Sequence, residues 1–270
     1  MNTCFKITDD RFSAERTDLY DLILEIQFTR LRFIVRSGDQ LLWLEDHFLG
    51  NSNDITACEK AVSSLIREHA FLGGRFWKSV KLISDFQVHT LVPSAHFEAS
   101  RAPGYLALTF PTADPDKLEV ISETVGSQAL VAGTVKSVNI LFRTFYPNLT
   151  VSSALAVGLR YFNNLNGGQT MGVISETFLD LYYQNLKTKT IAVIKSPLKN
   201  LDHLIAGTSD LLLYGEVTPY SRTYGILETR FRNLILGDNP LPEALPGKFS
   251  GLPPQRYFTL LASCVRPIPA

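Results

Sequence analysis

The sequence predicts a mixed α/β fold in which a β-β-β-α-β unit occurs twice. Three observations predict it. Three strand-like runs and a helix-like run open the chain, the same order of runs returns after residue 168, and an Asn/Gly-rich stretch lies between. At 270 residues the chain fits two domains of modest size or one large one. Hydrophobic residues make up 45% and charged residues 19%, which suits a globular protein with a substantial core.

"ILEIQFTRLRFIVRSGDQLLWLEDHF" (23–48) reads as three strands. Apolar runs span Leu22 to Ile26 and Leu31 to Val35, and "RSGDQ" turns into Leu41 to Phe48, with Gly38 free to take a positive φ. In "DITACEKAVSSLIREHAFLGG", Thr56 and Glu59 predict a capping box, with Gly73-Gly74 as the stop. Cys58, Val62, Leu65, Ile66, His69 and Leu72 share one helical face. "SVKLISDF" (79–86) is the next strand.

Segments "DKLEVISET" and "SQALVAGTV" follow, then the expected helices "SVNILFRTFY" and "SSALAVGLRYFNN". "NLNGGQT" (164–170) is the expected boundary between lobes 1–165 and 166–270. In the second lobe, "QTMGVISET", "FLDLYYQN" and "TKTIAVIKS" are strand-like, and "LKNLDHLIAG" is a short helix ending at Gly207. "DLLLYGEV" is a strand, and "SRTYGILETRFRNLILG" a helix that stops at Gly237. Five prolines between Asp238 and Gln255 exclude a regular element, leaving an ordered surface arm (239–254) or a mobile loop. "RYFTLLASCV" is the expected last strand.

A doubled β-β-β-α-β plan resembles the actin-like ATPase (ribonuclease H-like) architecture. "HTLVPSAHF", "LLLYGEVTPYSRTYGILETRFRNLIL" and "LPPQRYFTLLASCV" also resemble an uncharacterised bacterial family, domain-of-unknown-function family 3822, over about Leu19 to Cys264. The resemblance implies the fold and carries over no catalytic residue. Actin-like ATPases grip phosphate with glycine-containing turns and hold Mg²⁺ through an Asp at the end of the first strand. Here Glu25 stands near that Asp, Gln27 near the glycine, and Thr29 and Arg30 fill the turn. In the second lobe Ser175 and Thr177 could donate to phosphate, but Glu176 between them would repel it. Where a Gly-Gly turn packs on adenosine, Gly215 remains and Glu216 replaces its neighbour. These departures predict a degenerate nucleotide site.

Other constellations are weaker. His89 and His96 have unsuitable spacing for a metal pair, and adjacent Glu45 and Asp46 point to opposite faces of a strand. Asp18 and Asp21 lack the further acids a ribonuclease H-like metal nuclease needs, and Cys58 reads as core. "RFWKSVK" offers Arg75, Trp77, Lys78 and Lys81 to a nucleic acid strand, yet Lys+Arg and Asp+Glu each total 26. No nucleic-acid partner is expected. Three scattered cysteines give no disulfide framework, and neither a signal peptide nor an 18-residue apolar run is present, so a cytoplasmic location is expected. Three functions stand open. The first is a non-catalytic scaffold that binds another protein, with no cofactor, through "LRYFNN" (159–164) or the proline-rich arm. The others are a divergent ATPase with ATP and Mg in the interdomain cleft, and a metal-dependent nuclease.

Overall fold

The computed structural model describes residues 2–265 except 53, 86, 166–168, 186, 188, 189, 205–209, 242, 244 and 246. The centre of the expected linker and the expected helix stop at Gly207 lie outside the described residues.

The first sheet begins with β1 (Asn2–Thr8) and the antiparallel meander β2 (Asp21–Ile26), β3 (Arg30–Ser37) and β4 (Gln40–Phe48). Helix α1 (Ile55–Glu68) carries the chain to β5 (Ser79–Ser84), parallel to β2. An insertion follows, made of β6 (Gln87–Pro93), α2 (Ala102–Thr109), β7 (Leu118–Val125) and β8 (Gln128–Val135), which form a small antiparallel sheet of order β6-β8-β7 under α2. Helix α3 (Lys136–Phe145), strand β9 (Leu149–Ser153) and helix α4 (Ala154–Asn164) complete this half. The second half runs β10 (Thr170–Ile174), β11 (Phe178–Gln184), β12 (Ile191–Pro197), β13 (Leu211–Gly215), α5 (Arg222–Arg230), β14 (Leu234–Leu236) and α6 (Phe258–Ala262).

The large sheets have orders β1-β4-β3-β2-β5-β9 and β12-β11-β10-β13-β14. Without β1 they follow one plan: an antiparallel meander, then two strands added in parallel to its first strand. In both, the meander's first strand is central. That position explains why β2 reads as a nearly continuous apolar run: residues 22–26 are all buried.

Several expectations need correction. Helix α1 is capped by Asp54, whose carboxylate accepts from the Thr56 and Ala57 amides, not by a Thr56 capping box. A carboxylate that takes two orphan N–H groups starts the helix at Ile55. The chain leaves α1 at His69, before the glycine pair. The helix expected from Ser221 to Gly237 ends at Arg230, and residues 234–236 pair in parallel with β13 instead. Among the described residues of "LKNLDHLIAG", Leu198–His203 form a 3-10 turn rather than an α-helix. The expected last strand is helix α6: its residues are buried on every side, so no alternation marks them as strand or helix.

Helix α6 sits where the halves meet. Phe258 packs 4.2 Å from the Tyr214 ring, Tyr257 stacks on Phe5 at 5.7 Å, and Leu260 and Leu261 are fully buried. The proline-rich arm is not confined to the surface, because Phe249 and Leu252 enter the same core. Nor is "LRYFNN" a free face. Arg160 pairs with Glu123, the Tyr161 hydroxyl lies 3.0 Å from that of Tyr214, and Phe162 is buried.

Candidate functional site

Equivalent turns of the two sheets face each other. Between β2 and β3 the Gln27 amide donates to the Arg30 carbonyl (2.9 Å), and between β10 and β11 the Ser175 amide donates to the Phe178 carbonyl (2.9 Å). Across the cleft, the Thr29 amide donates to Glu176 Oε2 at 3.2 Å, and the Thr29 hydroxyl donates to Glu176 Oε1. A carboxylate of the second sheet therefore takes the backbone donor that a bound anion would need on the first.

Behind the turns lies a buried ionic network. Arg32 places Nε 3.3 Å from Asp46 and Nη1 3.9 Å from Glu25, and it pairs with Glu216 of the other sheet. Asp46, fully buried, also takes Arg30 at 3.0 Å and Arg256 at 3.3 Å. On the opposite wall Lys195 lies 3.4 Å from Asp180 and 3.8 Å from Asp85. The registers match these groups in pairs. Arg32 stands opposite Glu25 and Asp46 in the first sheet, as Asp180 stands opposite Val173 and Lys195 in the second. Two of the equivalent positions thus carry opposite charge, Arg32 against Asp180 and Asp46 against Lys195, while Glu25 corresponds to the uncharged Val173.

Glu25, Gln27, Ser175 and Gly215 line one cavity of about 10 Å³ together with Asp85 and Asp180. That is room for a single water. Arg30 and Glu216 belong to the network, Thr29 and Glu176 bond each other across the cleft, and Thr177 lines a wider groove beside Glu176. Gly215 has φ 97°, and a Cβ there would overlap the Ile174 carbonyl, so close strand packing accounts for this glycine. Sequence reasoning misses Arg32, Asp85, Asp180, Lys195 and Arg256, and does not bring Asp46 to the cleft. For Asp180, Lys195 and Asp85 the signal is a lone charge inside or just beyond an apolar strand, as in "FLDLYY" and "IAVIKS".

Burial pushes the Glu25 carboxyl up to about 7, against a partial lowering by Arg32, and pushes Asp180 up to about 6. Both values are raised, so the folded state holds extra protons below them. Stability from these groups is fully present below about pH 4 and is lost as pH rises through 6 to 7. Resistance to urea unfolding is expected to fall between pH 5 and pH 8, and Glu25→Gln to remove ~3 kcal/mol of that fall. An equally steep fall in the variant would contradict the assignment.

Among the described residues, Glu45, His47 and His69 form a group able to meet one metal ion. Glu45 Oε2 lies 2.7 Å from His47 Nε2 and 2.9 Å from His69 Nε2, with Lys6 Nζ 3.0 Å from Oε1. The donor set does not fit a metal. His69 Nδ1 accepts from the Phe71 and Leu72 amides, so the ring proton sits on Nε2, toward Glu45. The Nδ1 of His47 is buried without an acceptor for the N–H that a metal-bound imidazole would keep there. Burial opposes ionisation of Glu45, yet hydrogen bonds from His47, His69 and Lys6 hold it well below the usual carboxylate range. Glu45 and Asp46 do face opposite sides, one toward His69 and the other toward Arg32.

The remaining candidates disperse. Burial pushes His89 down to about 4, and His96 lies in a separate 3-10 turn. Asp21 accepts from the Ser79 hydroxyl at 2.6 Å. Cys58 is buried on the inner face of α1, as expected. Trp77 is buried too, and so is withheld from any stacking ligand.

Two sheets of one strand order, meeting at a cleft between their meander turns, define an actin-like ATPase fold. The chain belongs to the family described as "Protein of unknown function (DUF3822)", whose model matches residues 9–185. It is similar to a Bacteroides thetaiotaomicron VPI-5482 protein with an actin-like ATPase fold and unknown function. Identity is 11%, the TM-score 0.71, and the match covers 94% of this chain and 98% of that one. It is also similar to a chain of a PilM-PilN type IV pilus biogenesis complex, at 14% identity and a TM-score of 0.54. That match covers 92% of this chain and 99% of the other. No curated protein matches the sequence. Among the described residues, no helix is long and apolar enough to cross a membrane.

Proposed function

We propose that this protein is a non-catalytic scaffold of actin-like fold, with lobes 1–165 and 166–270, which binds another protein and takes no nucleotide. The observation that carries the reading is the Glu176 carboxylate on the Thr29 amide and hydroxyl. A phosphate would have to displace it and then sit beside it. Two further observations support the reading: the Arg32–Glu216 pair crosses the cleft, and the cavity behind the turns is the size of one water. A chain of similar fold is part of a PilM-PilN type IV pilus biogenesis complex. Thermal unfolding with and without Mg-ATP is the test. A ligand at 100 times its Kd adds about 2.7 kcal/mol. The scaffold reading expects no shift of the midpoint, and a rise with Mg-ATP that needs both metal and triphosphate would replace it with a divergent ATPase.

A further inference from the structure

Outside the two turns the cleft opens into a groove of about 250 Å³. Its walls are apolar and come from three elements: Phe28 of the first turn, Val88, Leu118 and Val135 of the inserted small sheet, and Phe178 of the second lobe. Its charges are acidic in excess. Glu176 has no cation within ion-pair distance among the described residues, and Asp85 shares the one lining ammonium, Lys195, with Asp180 of the small cavity behind. Two carboxylates, Asp85 and Glu176, against one ammonium that is itself shared repel phosphate and attract a cation. The strand that supplies Val88, β6, is an edge strand of its sheet. Edge strands are where an extended segment adds by backbone pairing, its alternate side chains pointing the same way.

We propose that this groove receives an extended segment of the partner protein, with an apolar side chain between the two phenylalanines and a neighbouring lysine or arginine against Glu176. The proposal rests on the scaffold reading and names the chemistry of what that scaffold holds. Because both lobes wall the groove, an occupied groove adds a further tie between them to the Thr29–Glu176, Arg32–Glu216 and Lys195–Asp85 pairs.

Two short blocked peptides serve as probes, acetyl-Val-Phe-Arg-Val-amide and its Glu counterpart, titrated into the full chain with methyl NMR as the readout. The arginine peptide is expected to shift the Val88 and Val135 methyls at millimolar concentration, and the glutamate peptide to bind about tenfold more weakly. Glu176→Gln, which keeps an oxygen for Thr29, is expected to remove most of that preference. Val88→Trp, which fills the groove, should abolish both sets of shifts. Equal binding of the two peptides, or shifts confined to other methyls, would overturn the proposal. So would silence in both titrations; if Mg-ATP also leaves the midpoint unmoved, the scaffold reading survives that loss. Mg-ATP moving the same methyls would sink both.

Discussion

Replacing Arg32 by alanine is expected to destabilise the protein by about 3–5 kcal/mol, because it leaves buried carboxylates without their cation. The side chain is 3% exposed and stands among Glu25, Asp46 and Glu216. Asp46 retains Arg30 and Arg256, and Glu216 retains Arg256 at 3.6 Å, so Glu25 bears most of the loss. Urea unfolding should show it as a lower midpoint with an unchanged slope. Adding Glu25→Gln to Arg32→Ala should recover part of the loss, since the double variant leaves no ionisable carboxyl buried there without its cation. A cost below ~1 kcal/mol, the range of surface pairs, would mean that the network contributes little to closing the cleft.

The second large effect is expected at Gly215. Its φ of 97° is unfavourable for an L side chain, and the space a Cβ needs is filled by the Ile174 carbonyl of the neighbouring parallel strand. Gly215→Ala is expected to cost more than ~4 kcal/mol, a size reserved for mutations that force backbone to move. Gly225 provides the internal contrast. It lies in helix α5, where an added methyl would meet nothing within 4 Å, and Gly225→Ala is expected to stabilise by about 0.5–1 kcal/mol. Thermal midpoints of the two variants moving in the same direction would show that conformation and crowding at residue 215 have been misread.

The central strands of both sheets are legible because burial on both faces writes an unbroken apolar run, and helix α1 because burial on one face writes a period. Strand β1 escapes because "NTCFKIT" lies at a sheet edge, where polar residues are tolerated, and β14 because three residues are too few to show any pattern. Residues 25 to 30 and 175 to 177 can be placed near the cleft because strand order alone brings those turns together. The groups that answer them cannot. Nothing local to Arg32, Asp85 or Lys195 says what each meets, since the Arg32–Glu216 and Lys195–Asp85 pairs depend on how two sheets far apart in sequence are set face to face.

Early and late segments of the chain are fastened to each other. Lys248 pairs with Asp10, 238 positions away, Arg36 donates to the Cys264 carbonyl, 228 positions away, and Tyr257 lies on Phe5. During synthesis the first sheet therefore emerges long before the segment that covers it. Only once residues 248–264 have left the ribosome can these long loops close, so the first sheet waits, uncovered on that side, until they are made.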